Sequence, residues 1–231
     1  MPNFVFNLTG MRINKRAGLY IVFFLLLFIL FYFALTRIIP GFGEVKMPVL
    51  NYIQAFSFTN QDGKNITNKD VAGKVYVAEY FFTTCKGICP KMNNNLKQVY
   101  EEYKNEPDFR ILSHTVDPQT DSVSRMKHYA DSMGVDSKSW WFLTGRKDSL
   151  YNIARVSYLL DDPKNNNINP DDQFIHTQFF ALVDKNGQVR KIYDGLKNQE
   201  ISDLKADIKK LLKEAATNSH FANSLINNKP N

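Results

Sequence analysis

The chain has 231 residues and a formal net charge of +6, and its composition is 44% hydrophobic and 23% charged. This composition excludes a largely disordered chain and allows one globular domain with accessory segments. The basic residues are interspersed with acidic ones and form no run of five or more, so we expect no nucleic-acid partner. Two cysteines are too few for a scaffold held together by disulfides.

An uncharged and strongly apolar segment occupies residues 17–36. Its length suits a helix that crosses a bilayer core of roughly 30 Å, and it exceeds the apolar region of a cleaved signal peptide. Basic residues are denser before the segment than after it: Arg12, Lys15 and Arg16 precede it, and Arg37 and Lys46 follow. This asymmetry predicts an uncleaved single-pass anchor of the bacterial inner membrane, with residues 1–16 in the cytoplasm and the C-terminal domain in the periplasm.

After the anchor, the pattern predicts a linker over residues 37–54, a folded domain over 55–216 and a flexible polar tail over 217–231. Strands are expected at 75–82, 109–116, 140–143, 179–184 and 189–193, with a short hairpin around Asp62-Gly63. Helices are expected from Pro90 to Tyr103, at 122–133, at 149–155 and around Ile201–Leu212. This alternation predicts an α/β sandwich with a central mixed sheet.

Cys85 and Cys89 fall between the predicted central strand and the helix that follows it. The helix N-terminus and the ammonium group of Lys86 should favour thiolate, so we expect at least one acidic thiol. The pair can cycle between dithiol and disulfide, or it can bind a soft metal. Three intervening residues weaken the interpretation as a thioredoxin-type oxidoreductase, which favours two. A purely structural disulfide is disfavoured because closing so short a loop adds little stability.

A metal site on this pair needs a further ligand. Two thiolates and one imidazole suit Cu(I), whereas zinc normally requires four ligands. We expect His128 on a helix surface, His220 in the tail, and His114 as a core residue whose hydrogen bonds are satisfied. His176 joins a polar loop to a predicted strand, and from there its imidazole can reach a nearby site, so it is the candidate third ligand.

Three motifs in this order resemble the Sco/SenC family: Tyr80-Phe-Phe-Thr-Thr-Cys85-Lys-Gly-Ile-Cys89-Pro90-Lys-Met92, Thr115-Val-Asp117-Pro118-Gln-Thr-Asp121, and the segment from His176 to Gly187. The resemblance implies a thioredoxin-like fold and copper binding by Cys85, Cys89 and His176, as Cu(I) with Cu(II) left open. It also implies a copper chaperone rather than an enzyme. Its partner would be cytochrome c oxidase subunit II, whose dinuclear copper centre it would supply or prepare, or a related copper protein.

Two features of the motifs leave alternatives open. Lys86 and Gly87 stand where many family members have proline and an acidic residue, and a cation there should slightly disfavour metal and favour thiolate. Asp117 and Asp121 match the acidic motif but equally suit a turn and a helix cap.

The main alternative function is a periplasmic thiol–disulfide reductase with a redox disulfide between Cys85 and Cys89. A thiol peroxidase is less favoured because it has no need of His176. No residue in the sequence indicates an oligomer, so we expect a monomer.

Overall fold

The structure, a computed structural model, describes residues 15–38, 46–164, 175 and 177–216. The chain forms two compact units, Met1–Lys46 and Met47–Asn231. The described part of the first unit is helix α1 (Lys15–Ile38), which lies where the uncharged segment predicts it. Its mean hydropathy reaches 2.7, so it is long and apolar enough to cross a membrane.

The second unit alternates strands and helices, as the sequence predicts. Its strands are β1 (Asn51–Tyr52), β2 (Ser57–Asn60), β3 (Asn65–Thr67), β4 (Val75–Phe81), β5 (Phe109–Thr115), β6 (Trp140–Thr144), β7 (Phe179–Val183) and β8 (Gln188–Asp194). Its helices are α2 (Cys89–Tyr103), α3 (Val123–Met133), α4 (Lys147–Val156) and α5 (Asn198–Lys213). Among the described residues the strands form one mixed sheet in the order β1-β8-β7-β4-β5-β6-β2-β3. Strands β4, β5 and β6 are parallel, and all other neighbours are antiparallel.

Strand β4 lies in the middle of the sheet, and all seven of its residues are buried. A strand covered on both faces reads as a continuous apolar run, which is the pattern that predicted it. Alternate residues of β4 enter two separate cores. The first core contains side chains from α2, α3 and α5, and the second contains side chains from α4 and the β2–β3 hairpin. The predicted α/β sandwich with a mixed sheet is thus confirmed.

Local sequence signals account for the ends of two helices near the cysteines. Pro90 stands in the first turn of α2, where a missing backbone N–H costs no helical hydrogen bond. The side chain of Ser122 caps α3 by accepting from the backbone N–H of Arg125. Gly134 ends that helix in the left-handed conformation, with φ of 65°.

Part of the predicted linker 37–54 belongs to the sheet. Asn51 and Tyr52 pair with β8, and the buried guanidinium of Arg190 donates to the carbonyl of Met47 at 2.5 Å. A two-residue strand has no period that a sequence can reveal, because it is defined by its partner strand. Residues 39–45 of the linker lie outside the described residues.

Candidate functional site

The two cysteines lie at the carboxyl end of β4, where parallel strands of α/β sheets commonly present reactive groups. Cys85 is in the loop after β4 and is partly exposed, whereas Cys89 is the first residue of α2 and is buried. Both are free thiols, and both side chains line the same small cleft. The position between strand and helix that the sequence predicts is therefore confirmed.

The two thiols differ in acidity. Burial opposes ionisation of Cys85, but hydrogen bonds from the Cys89 thiol and from the backbone of Gly87, Ile88 and Cys89 lower its pKa overall. Burial and the hydrogen bond to Cys85 raise the pKa of Cys89. The expected acidic thiol is thus Cys85, and the main chain and Cys89 supply the hydrogen bonds that lower its pKa. The pair combines one partly exposed, more acidic thiol with one buried thiol of raised pKa.

A small cleft opens at the cysteines. Its volume is about 30 Å³, and its lining consists of Tyr80, Phe81, Phe82, Cys85, Ile88, Cys89, Val116, Ile175 and Thr177. His176 itself lies outside the described residues, so its role as third ligand stays a prediction. The residues on either side of it, however, both line the cysteine cleft. The described part of the chain contains no group of three or more His, Cys, Asp or Glu side chains that could hold a metal ion.

Asp121 anchors the loop that leads to the cysteines. Its buried carboxylate accepts hydrogen bonds from the hydroxyl groups of Thr83 and Thr115, each at 2.5 Å, and from the backbone N–H of Thr83 at 3.2 Å. The interpretation of Asp121 as a helix cap is wrong, because Ser122 caps α3. Asp117 does lie in a turn, where its carbonyl accepts from the backbone N–H of Thr120. Since Thr83 is two residues before Cys85, Asp121 fixes the start of the cysteine loop.

A buried polar network, which no pattern in the sequence predicted, lies under α2. Glu79 of β4 is fully buried and accepts from the hydroxyl of Ser113 at 2.5 Å, and that hydroxyl accepts from the indole N–H of Trp140 at 2.8 Å. The Asn93 amide is best oriented with its nitrogen donating to Glu79 at 2.9 Å and its oxygen accepting from Tyr129 at 2.7 Å. Burial raises the pKa of Glu79 to about 8, against a smaller opposing effect of the Ser113 hydrogen bond.

Glu79 is electrostatically linked to the site, because its charge is among the influences that raise the pKa of Cys89, after burial and Cys85. The available sequence signal was a single acidic residue inside an otherwise apolar central strand.

Two of the remaining histidines belong to described elements, His114 to β5 and His128 to α3. His128 is exposed on α3, as predicted. His114 is buried, as predicted, but neither ring nitrogen makes a hydrogen bond of normal geometry within the described residues. It is enclosed by Phe58, Tyr80 and Tyr158, and aromatic contacts replace the satisfied hydrogen bonds that we expected. His220 lies outside the described residues.

Comparison with known proteins identifies similar chains. Residues 47–213 match the family model described as SCO1/SenC. The SCO1 protein homolog of Bacillus subtilis is 34% identical over 173 residues, which cover 73% of this chain and 87% of that protein. The human mitochondrial SCO1 homolog is 26% identical, and the matched region covers 58% of this chain and 44% of the human protein.

Solved structures with the same fold agree with these matches. A SCO1/SenC family lipoprotein from Bacillus anthracis has a TM-score of 0.63 at 33% identity, covering 73% of this chain and 100% of that one. BsSco, a Sco family cytochrome c oxidase assembly protein in which a disulfide switch was identified, has a TM-score of 0.61 at 33% identity. The matched region covers 73% of this chain and 98% of the BsSco chain. ScoI of Bradyrhizobium japonicum, solved with copper bound, matches at 22% identity with a TM-score of 0.52, which supports the fold alone.

Proposed function

Because the chain belongs to the SCO1/SenC family, we propose that it is a membrane-anchored copper chaperone that assists cytochrome c oxidase assembly. Its cargo would be Cu(I), held by Cys85, Cys89 and His176, and its partner would be oxidase subunit II with its dinuclear copper centre. The observation that carries the proposal is the cleft at the cysteines. Two free thiols lie side by side there, and the residues before and after His176 line the same cleft.

The donor set fits this cargo. Thiolates and imidazole are soft or intermediate ligands that suit Cu(I), and Cu(I) accepts low coordination numbers. The lowered pKa of Cys85 favours its thiolate form, and Cys89 loses its proton when the metal binds. The apolar lining from Phe82, Ile88 and Val116 would limit access of water to the bound ion.

A competition titration of the full chain in detergent tests the copper role. Under anaerobic, reducing conditions with a chromophoric Cu(I) chelator, we expect one Cu(I) per chain. Cys85→Ser and Cys89→Ser should abolish this binding. His176→Ala should weaken it by about 100-fold or more. His128→Ala removes an exposed histidine of α3 and is the matched control. Unchanged affinity in His176→Ala would remove the histidine from the site, and undiminished binding in both serine variants would refute the cysteine site.

The asymmetry of the thiols favours a second candidate function, a thiol–disulfide reductase. Partly exposed Cys85 would attack a disulfide of the target, one target sulfur would leave as thiolate and take up a proton, and a mixed disulfide would form. Cys89 would then lose its proton and displace the second target sulfur. The Cys85–Cys89 pair is thereby oxidised by two electrons, and the target gains two electrons and two protons.

Trapping separates the two roles. Reduced Cys89→Ser protein, mixed with an oxidised peptide that carries the copper-binding cysteines of an oxidase subunit II, should accumulate the mixed disulfide through Cys85. Cys85→Ser should accumulate none. If the wild type reduces the peptide no faster than a small dithiol does, the chaperone role remains and the reductase role is refuted.

We further propose that α1 anchors the domain, with residues 1–16 in the cytoplasm, 17–36 in the bacterial inner membrane and the domain in the periplasm. The length and hydropathy of α1 support this, as do the basic residues that precede residue 17. Protease added to intact spheroplasts should digest the domain, while a tag at the N-terminus stays protected. The opposite pattern would reverse the proposed topology.

A further inference from the structure

Three exposed cations belong to, or contact, the segment that holds the cysteine pair, and we call Lys86, Lys91 and Arg125 the basic rim. Lys86 directly follows Cys85, and Lys91 lies in the first turn of α2, two residues beyond Cys89. Arg125 belongs to the first turn of α3, and its Nε donates to the hydroxyl of Thr83 at 2.7 Å. The sequence places two of these cations beside the cysteines, and the fold adds the third.

Among the described residues, the basic rim has no exposed carboxylate within ion-pair distance. Within the described part of the chain, Lys86 and Lys91 form no ion pair, and the first turn of α2 contains no acidic residue. The carboxylate nearest to Arg125 is Asp121 at 3.9 Å, which is buried and already accepts from Thr83 and Thr115. Some exposed cations elsewhere on the domain pair with neighbouring carboxylates, as in Lys104–Glu101, Lys127–Asp131, Arg146–Asp148 and Lys210–Asp207. Other exposed lysines, such as Lys64, Lys69 and Lys209, form no ion pair within the described residues, so the basic rim is set apart by its position beside the cysteines.

The cleft at the cysteines has a largely apolar lining, part of which reaches the surface. Ile88 is 39% exposed at the cleft, and Phe82 is partly exposed beside it. Apolar side chains beside exposed cations fit a protein surface whose apolar centre is bordered by carboxylates, because opposite charges speed encounter and fix orientation. It fits a nucleic acid poorly, since three cations form no extended track for a phosphate backbone.

We propose that the basic rim recognises a protein partner that carries carboxylates next to the thiols or copper ligands with which Cys85 reacts. The inference rests on the proposed function, because it names the chemistry of the partner that meets the same two cysteines. It also gives Lys86 a role: this cation selects the partner instead of serving the metal.

Charged peptide disulfides provide the probe. The reduced full chain in a non-ionic detergent is mixed with three disulfide-bonded peptides that differ only in flanking glutamate, glutamine or lysine residues. At low ionic strength the acidic peptide should react about tenfold faster than the neutral one, and the basic peptide more slowly than either. The preference should shrink in 0.5 M salt, where the Debye length falls to roughly 4 Å. The ratio of rates is the readout, since a change in thiolate content alters all three rates equally.

Two variants of the basic rim and one control test the assignment. K86Q/K91Q should lose most of the preference for the acidic peptide, and K86Q/K91Q/R125Q should lose nearly all of it. The double variant is needed because Arg125 also contacts Thr83. K64Q/K69Q/K209Q removes three other exposed lysines and should retain the preference.

The inference is overturned if the wild type reacts equally fast with the acidic and neutral peptides, or if the triple variant of the basic rim keeps the preference. It is also overturned if a short single-stranded oligonucleotide blocks the reaction while a glutamate-rich peptide without cysteine does not. Failure of the copper proposal would appear separately, as undiminished Cu(I) binding in both Cys85→Ser and Cys89→Ser, and failure of its histidine part as unchanged Cu(I) affinity in His176→Ala. That variant leaves the cysteines and the basic rim intact, so its peptide preference should match that of the wild type.

Discussion

The two faces of the central sheet bury ionisable side chains in opposite ways. On the face covered by α2 and α3, Glu79 is held in a network of hydrogen bonds from Ser113 and Asn93. On the other face, His114 is enclosed by aromatic rings and makes no hydrogen bond of normal geometry within the described residues. The two residues come from adjacent parallel strands, β4 and β5, and are equally buried.

The difference shows on which face of the sheet the fold keeps hydrogen-bonded polar groups in its interior. Burying a polar group costs free energy unless the group is hydrogen-bonded. A fully connected network therefore requires specific residues at several positions. That network lies on the face whose helix α2 begins at Cys89, and its carboxyl group influences the acidity of that thiol. The His114 face instead contributes apolar and aromatic packing. We infer that the α2 face influences the acidity of Cys89, and that the α4 face contributes apolar packing and part of the lining of the cysteine cleft.

The strongest way to break this contrast is to remove the charge that Glu79 can carry. Its pKa in the folded protein, about 8, is above the ordinary value of 4.5, so folded protein binds the proton more tightly than unfolded protein. Its contribution to stability is therefore complete below pH 4.5 and is lost as the pH rises through 8. The loss should reach about 4 kcal/mol by pH 8. Glu79→Gln should remove this dependence, as measured by urea unfolding between pH 4.5 and 8.5.

Glu106→Gln, which neutralises an exposed carboxyl, is the control for this experiment and should leave the pH dependence of the wild type unchanged. Parallel profiles for the wild type and Glu79→Gln would show that the carboxyl does not titrate in this range, and the contrast between the two faces would then lose its electrostatic basis.

On the opposite face, His114→Phe should have a smaller effect of the opposite pH sense. Burial lowers the pKa of His114 from 6.5 to about 4, so its contribution to stability is present above pH 6.5 and is lost as the pH falls towards 4. Phenylalanine should remove this loss and stabilise the protein by about 3 kcal/mol at pH 4 relative to wild type. Near pH 7 the change should stay within about 1.5 kcal/mol, because the ring volume is nearly conserved.

His128→Phe alters an exposed histidine and should not reproduce the gain at low pH. If His114→Phe costs several kcal/mol at pH 7, the imidazole makes a polar interaction, and the two faces are more alike than the contacts indicate.

Part of the fold and of the site could be predicted from the sequence alone. The central strand, the hairpins and the main helices follow from local patterns, because β4 is a continuous apolar run and α2 has an apolar stripe after Pro90. The cysteine pair and its position between strand and helix follow from the same local signals. The resemblance to a known family predicted the fold, and the comparisons confirm it.

The rest depends on contacts between residues far apart in the chain. Thr83 meets Asp121 across 38 positions, and Ser113 meets Glu79 across 34. No spacing in the sequence indicates that Asp121 would anchor the cysteine loop instead of capping α3, or that Arg125 would reach Thr83. Strand β1 likewise exists only because β8 pairs with it. The role of His176 remains a prediction, which the copper titration tests.

The smallest expected effect comes from removing a single hydroxyl group, that of Ser113. Ser113 donates to Glu79 and accepts from Trp140, so Ser113→Ala leaves one buried donor without an acceptor and removes one donor from the carboxyl. The cost should be about 2 kcal/mol at pH 5, measured by urea unfolding. The Ser113 hydrogen bond lowers the pKa of Glu79, so its loss should raise that pKa further. The loss of stability should then extend to higher pH than in the wild type. Ser202→Ala, at an exposed position of α5, should change stability by less than about 0.5 kcal/mol at every pH. An unshifted pH profile in Ser113→Ala would mean that Glu79 and Ser113 do not interact, and the network under α2 would then be a set of independent polar contacts.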